Sequence, residues 1–194
     1  MPSAAPSRAQ LRERRRAIAP DARMRAAEAV ATHLLGLPGF PRSGYVAGYW
    51  AMDGELPLHV WQIRLPAKLV YCLPVLDPAA RCLRFAPWRP GDALVTNRYG
   101  IPEPALSPAS LLDAADMAFI AMPLTGFDRH GHRMGMGGGW YDRTLAFRNE
   151  RPAPPFCVGI GFDVQEMPPF QPQPWDVACD AIVTESRTLF RDPP

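Results

Sequence analysis

Five short apolar runs constrain the fold of this chain more than any other feature. They lie at 44–50, 69–73, 117–122, 157–162 and 181–184, and are rich in Val, Ile, Phe, Tyr and Met. A strand with one wet face alternates apolar and polar residues, whereas a strand covered on both faces reads as a continuous apolar run. These runs therefore predict strands of a mainly parallel sheet. Helical stretches fit between several of them, near 56–64, 107–114 and 140–148. Strand, helix, strand in succession gives an α/β class and a three-layer α/β/α domain. Proline supports this against a helical bundle, since 24 of 194 residues are proline and each one interrupts a helix interior. The length fits one domain over 1–194. No internal repeat or linker divides it, 151–155 and 166–175 are stiff Pro-rich loops, and residues 1–6 are expected to be flexible.

The N-terminal part has a different texture. Residues 7–18 predict an amphipathic helix with Leu11 and Ile18 on one side and arginines around the rest, broken at Ala19-Pro20. Pro20-Asp21 opens a second helix through Leu35, with apolar positions at Met24, Ala27, Val30, Ala31 and Leu34. Seven arginines fall within 1–25, although the whole chain carries a net charge of only +2. That net charge does not argue for a nucleic-acid partner, and no aromatic residues are interleaved with these arginines for base stacking. No run of about 18 apolar residues is present to span a membrane. The four cysteines, Cys72, Cys82, Cys157 and Cys179, form no CxxC pair. With no apolar leader segment, they read as reduced core thiols of a cytoplasmic protein.

In α/β sheets, ligands bind beyond the carboxyl ends of the strands. The run at 117–122 ends in Pro123 and leads towards Gly135, Gly137, Gly138 and Gly139, just before a predicted helix at Trp140. Backbone N–H groups of such a loop can converge on an anion. Arg133 and Arg143 flank it and can pair with phosphate oxygens, and Asp142 is placed to hold Mg²⁺ against that phosphate. The loop is neither a Walker motif nor a dinucleotide fingerprint, because GxxxxGK[ST] is absent and Trp140 stands where a third Gly belongs. Glycines that merely permit a tight turn are the plain alternative.

Other groups are weaker alone. Arg8 and Arg12, four apart, share a helix face and can grip a polyphosphate or simply face water. Trp50, Met52 and Glu55 follow a strand and suit an aromatic wall with one fixed acceptor, or core packing. Asp176 and Asp180 suit a second metal carboxylate or an ordinary surface. His130 and His132 read as loop histidines rather than metal ligands.

Taken in order, these pieces resemble the 5-formyltetrahydrofolate cyclo-ligase family, also called 5,10-methenyltetrahydrofolate synthetases. The strongest match is Asp116 through Arg143. The family's Phe-Asp-x-x-Gly-x-Arg-Leu-Gly-x-Gly-x-Gly-Tyr-Tyr-Asp appears here from Phe127-Asp128 through Gly131, Arg133-Met134-Gly135, Gly137 and Gly139 to Trp140-Tyr141-Asp142. Arg8-x-x-x-Arg12, Glu55, Leu73-Pro74, Tyr99-Gly100-Ile101-x-x-Pro104, Gly159 to Gln165 and Asp176-x-x-x-Asp180 follow the family's order. Departures are Pro57-Leu58 for the usual Asp-Thr, Trp140 for Tyr, Thr125-Gly126 for Leu-Ala, and Arg8 for Lys.

The resemblance implies a fold like those of sugar-phosphate isomerases and CoA transferases. It also implies an ATP-dependent conversion of 5-formyltetrahydrofolate to 5,10-methenyltetrahydrofolate, through a phosphorylated imidate, with release of ADP and phosphate. On that basis Arg133 and Tyr141 are the expected catalytic residues. ATP is expected on Arg8, Arg12 and the segment from Arg133 through Met134, Gly135, Met136, Gly137, Gly138, Gly139 and Trp140 to Tyr141. Folate is expected on Trp50, Glu55, Met136, Gly137, Gly138, Gly139 and Trp140, and Mg²⁺ on Asp142 and Asp176. The expected partners are these small molecules, with no nucleic acid or membrane, in a monomer or small homo-oligomer. A non-catalytic folate- or nucleotide-binding relative on the same fold is the alternative.

Overall fold

In the computed structural model, which describes residues 5–151 and 153–191, the five apolar runs become five neighbouring parallel strands. Residues 1–4 of the segment expected to be flexible lie outside the described residues. In chain order the elements begin with α1 (Arg8–Arg16), α2 (Pro20–Leu35), β1 (Gly44–Ala47), α3 (His59–Ile63), β2 (Leu69–Asp77) and β3 (Cys82–Pro87). They continue with β4 (Leu94–Thr96), β5 (Pro102–Pro104), β6 (Met117–Pro123), β7 (Gly126–Phe127) and β8 (Arg133–Met134). The last are α4 (Trp140–Thr144), β9 (Phe156–Ile160), β10 (Ala181–Val183) and β11 (Thr188–Phe190). The main sheet has the order β11-β10-β9-β6-β1-β2-β3, and β4-β5 and β7-β8 form two small hairpin sheets. Every pairing from β10 to β2 is parallel, while the edge strands β3 and β11 are antiparallel.

Pleating sends alternate side chains to opposite faces, and each face has its own core. Val46, Phe119, Ala121, Val158, Ile160 and Val183 point to one side, where Ala27, Val30 and Leu34 of α2 and Trp61 of α3 cover them. Trp61 is fully buried and meets the rings of Tyr71 and Phe119 at centroid distances of 5.8 Å. Full burial of residues such as Val30 and Leu34 contributes about 1.5–3 kcal/mol each, which fixes α2 on the sheet. Ala47, Cys72, Ile120, Met122, Cys157 and Ile182 face the other side, under Leu83, Phe85, Phe127 and Leu145. The layer on that side is slender, made of α4, short 3₁₀ turns and loops.

Local signals explain the helix ends. Ser7 and Gln10 form a reciprocal capping box, so α1 starts at Arg8 rather than at 7. Pro20 occupies the first turn of α2, where its missing N–H costs nothing. The helix expected near 107–114 is absent: Leu112 exchanges both backbone hydrogen bonds with Phe85 at 2.8 Å, drawing the segment into an extended bridge between two 3₁₀ turns. Near 140–148, α4 stops at Thr144 and a 3₁₀ turn follows over Ala146–Asn149.

All four cysteines are free; Cys72, Cys157 and Cys179 are buried and Cys82 is partly so. Burial pushes the Cys72 and Cys179 thiols up to about 12, as expected of inert core thiols. Among the described residues no helix is long and apolar enough to cross a membrane.

Candidate active site

The chain leaves β6 at its carboxyl end and immediately folds into the β7–β8 hairpin, which pairs Gly126 with Met134 and Phe127 with Arg133. Asp128 makes that hairpin rigid. It is fully buried and accepts hydrogen bonds from the backbone N–H groups of His130 (2.9 Å), His132 (3.1 Å) and Phe170 (3.3 Å), and it bonds to His132 Nδ1 (2.9 Å). The hairpin in turn fixes Arg133, whose guanidinium is buried, lies 5.8 Å from the Tyr141 ring centroid and pairs with Asp142. Arg133 Nε is buried without a hydrogen-bond partner among the described residues. A buried unpaired donor costs about 1–3 kcal/mol, a condition that Arg133 Nε shares with Trp61 Nε1 and Arg148 Nε.

The glycine loop follows directly. Gly137 (φ 96°) and Gly139 (φ 63°) hold left-handed conformations that favour glycine. A Cβ on Gly138 would stand 2.8 Å from the Trp140 ring. Met136 is exposed, with its sulfur accepting from Thr125 Oγ1 at 3.4 Å. The Gly135 carbonyl accepts from Arg8 Nε at 3.1 Å, so α1 meets the loop where the sequence placed an N-terminal phosphate ligand. Trp140 sits among cations, with the Arg98 and Arg143 guanidinium carbons 5.4 and 5.2 Å from its ring and Tyr99 edge-on at 6.3 Å. Arg143 braces the loop, donating to the carbonyls of Gly138 (2.9 Å) and Arg81 (2.6 Å). Arg98 had no signal in the sequence, and Tyr99 none beyond its place in the family pattern.

Glu55 sits on a tight turn over Met52–Glu55. Asp53 (φ 51°) and Gly54 (φ 77°) take the positive angles of the turn type that Asp-Gly favours, closed by Glu55 N–H to Met52 O at 2.9 Å. Glu55 Oε2 accepts the Met52 N–H at 3.0 Å, and Arg15 approaches Oε1 to 3.7 Å. Burial raises the Glu55 carboxyl above its ordinary value, outweighing the Met52 hydrogen bond and Arg15. Burial, and then the Glu55 charge, likewise raise the hydroxyls of Tyr49 and Tyr141. Trp50 packs edge-to-face on Trp88 at 5.7 Å. A cavity of about 380 Å³ opens on the far side of Trp88, between α3 and the β2–β3 pair, and neither Glu55 nor Trp50 lines it.

The two carboxylates expected to serve a metal are linked through one backbone N–H, that of Val177. Asp142 Oδ1 accepts from Arg133 and from the N–H of Val177 (3.3 Å), the residue after Asp176. Asp176 Oδ2 accepts from Gln173 N–H at 2.9 Å within its own loop. A small polar pocket of about 120 Å³ is lined by His132, Arg133, Asn149, Asp176, Val177 and Arg191, among others. Asp142 Oδ2 and Asp176 Oδ1 make no hydrogen bond among the described residues, which leaves two hard oxygen ligands. Mg²⁺ is commonly held by one or two carboxylates together with phosphate and water, so this donor set fits it. Asp180 is engaged elsewhere, bound to Arg148 (2.8 and 2.9 Å) and the Cys157 N–H (2.7 Å).

A glycine loop beyond a strand end, flanked by arginines from separate elements and by two carboxylates, is the kind of arrangement that suits an anionic ligand in an α/β enzyme. Comparisons with known proteins narrow the class. The model of the 5-formyltetrahydrofolate cyclo-ligase family matches residues 2–185. The 5-formyltetrahydrofolate cyclo-ligase of Escherichia coli K12 is 36% identical over 181 residues, covering 91% of this chain and 97% of the relative. That of Haemophilus influenzae is 33% identical over 156 residues, covering 78% of this chain and 81% of the relative. The solution structure of Aquifex aeolicus 5,10-methenyltetrahydrofolate synthetase superposes with a TM-score of 0.79 at 28% identity, covering 96% of this chain and 92% of that one. The chain belongs to the 5-formyltetrahydrofolate cyclo-ligase family.

Proposed function

We propose that this enzyme closes 5-formyltetrahydrofolate to 5,10-methenyltetrahydrofolate with consumption of ATP. The observation that carries the reading is the buried Arg133, with an unpaired Nε, next to a glycine loop that α1 also touches through Arg8. The triphosphate lies along the Gly135–Gly139 loop, gripped by Arg8, Arg12 and Arg133. The formyl oxygen attacks the γ-phosphorus and ADP departs, which leaves a phosphorylated imidate whose oxygen is now a leaving group. N10 then bonds to the formyl carbon, the C–O bond breaks, N10 loses its proton and phosphate leaves.

The chain's own part is placement and charge neutralisation, which carry most of phosphoryl transfer. Arg133, stacked on Tyr141, faces the charge that spreads over the transferred group. Glu55 accepts hydrogen bonds from the pterin, and Trp50 and Trp140 bound its ring. Met136, exposed on the loop, contacts whichever substrate lies above it. Asp142 and Asp176 are the residues to hold Mg²⁺, which would neutralise phosphate charge.

The test is a joint assay of the methenyl chromophore and of ADP, with ATP, Mg²⁺ and 5-formyltetrahydrofolate. Equal rates of both products, with no ADP in the absence of folate, are expected. Folate binding without either product would instead favour the non-catalytic relative, for which Pro57-Leu58 after Glu55 is the motivating departure.

A further inference from the structure

Four arginines from the first two helices converge on the turn that carries Glu55. The Asp53 carboxylate takes Arg12 Nε (2.7 Å), Arg15 Nη2 (3.0 Å) and Arg16. The turn's carbonyls are held as well, that of Asp53 by Arg15 Nε at 3.0 Å and that of Gly54 by Arg23. Arg15 is fully buried, and its other amino group donates to Leu124 O at 3.2 Å, just beyond β6. Burial alone would raise the Asp53 carboxyl, but its hydrogen bonds to Arg12, Arg16 and Arg15 hold it below its ordinary value.

The first turn of α1 touches the other half of the site, because Arg8 Nε donates to Gly135 O at 3.1 Å. α1 is thus a bar of about two and a half turns between the glycine loop and the Glu55 turn. Arg8 and Arg12 are both anchored through Nε, and their terminal nitrogens make no hydrogen bond among the described residues. Those nitrogens remain for an anion while the anchors stay in place.

We infer that Asp53 is a positioning residue that couples nucleotide binding at the glycine loop to folate binding at Glu55, through α1. The inference rests on the ATP and folate assignments proposed above. Three guanidinium groups around one carboxylate leave a positive surplus that a polyphosphate completes. Binding it at Arg8 and Arg12 pins the first half of α1, and through the Arg12–Asp53 pair the turn that presents Glu55. The ordering is then already in place when the second ligand arrives, so each ligand tightens the other. The turn's shape is self-standing, because it is closed by its own Met52–Glu55 hydrogen bonds. Asn also tolerates a positive φ, so Asp53→Asn keeps the turn and its carbonyl contacts to Arg15 and Arg23 and removes the charge that gathers Arg12, Arg15 and Arg16.

Calorimetric titration of the full chain with Mg²⁺ and β,γ-imido-ATP, with and without saturating 5-formyltetrahydrofolate, tests this. Folate is expected to tighten nucleotide binding at least about 5-fold in the wild type, at the lower end of common couplings. In Asp53→Asn that factor falls to within about 2-fold of unity. Arg16→Gln, at an exposed position, lowers it in the same direction and serves if Asp53→Asn does not fold. A wild type that binds both ligands without coupling, or variants that keep the full factor, overturns the inference. A wild type that binds neither ligand overturns the functional reading, and the coupling with it.

Discussion

Arg133 and Asp142, nine residues apart in the chain, form a direct ion pair across the glycine loop. Each was expected to serve a ligand separately, one a phosphate and the other a metal. Their contact means that the ligand-free site keeps its own charges balanced, and that substrate must share or displace the pair. Arg133→Ala would leave Asp142 uncompensated in a partly buried place. Losing one partner of such a pair costs about 3–5 kcal/mol. Arg133→Ala is therefore expected to lower Tm by several degrees as well as cut chromophore formation at least about 100-fold. Arg133→Lys should recover much of the Tm and little of the rate, because a lysine cannot reproduce the planar fork. Thermal melts and initial rates on both variants check this.

Gly137 has a φ of 96° and open space around its Cβ position. Gly137→Ala therefore introduces backbone strain and no clash, of about 1–3 kcal/mol. Relief of that strain moves the loop off the triphosphate. The KM for ATP is expected to rise about 10-fold or more, with a smaller rise for folate, of which the loop holds only one part. Steady-state kinetics in each substrate separate the two.

The five central strands were legible because burial on both faces writes an unbroken apolar run. The edge strands β3 and β11 were not, since each has one neighbour and carries polar residues such as Arg84 or Thr188 in a short span. Within the site, the loop and its flanking residues were legible because they are contiguous. Arg15 was hidden, because nothing local distinguishes it from Arg14 and Arg16. Only its distance-spanning bonds to Asp53 and Leu124 bury it completely. The sequence suggested a free basic face on α1. The structure places Arg12, Arg15 and Arg16 on one carboxylate, which shrinks the free charge available to a nucleic acid.

Glu55 gives a pH signature. Burial raises its folded-state value above the 4.5 of an ordinary glutamate. The folded chain thus holds this proton more tightly than the unfolded chain. Its contribution favours folding at pH below 4.5 and is lost as pH rises through the raised folded value. Glu55→Gln keeps an acceptor for the Met52 N–H and carries no charge to desolvate. Its Tm is expected to exceed that of the wild type by a few degrees at pH 8, with the gap closing towards pH 4. Its turnover should fall, because a neutral amide is a weaker acceptor for the pterin. Scanning calorimetry across pH and the chromophore assay give the two readouts.

Asp176 provides the last test. Its neighbour Val177 donates to Asp142, and Asp176 itself lines the small polar pocket beside Arg133. Asp176 is held by one hydrogen bond in its own loop, from Gln173 N–H. Asn at this position can accept that bond too, so Asp176→Asn is expected to leave Tm within about 1–2 °C, as a surface change of ±0.5 kcal/mol would. The Mg²⁺ concentration for half-maximal activity should rise about 10-fold, because one of two anionic oxygen ligands becomes neutral. Excess Mg²⁺ should then restore most of the rate. A variant with lowered activity at every Mg²⁺ concentration would place Asp176 in some other role.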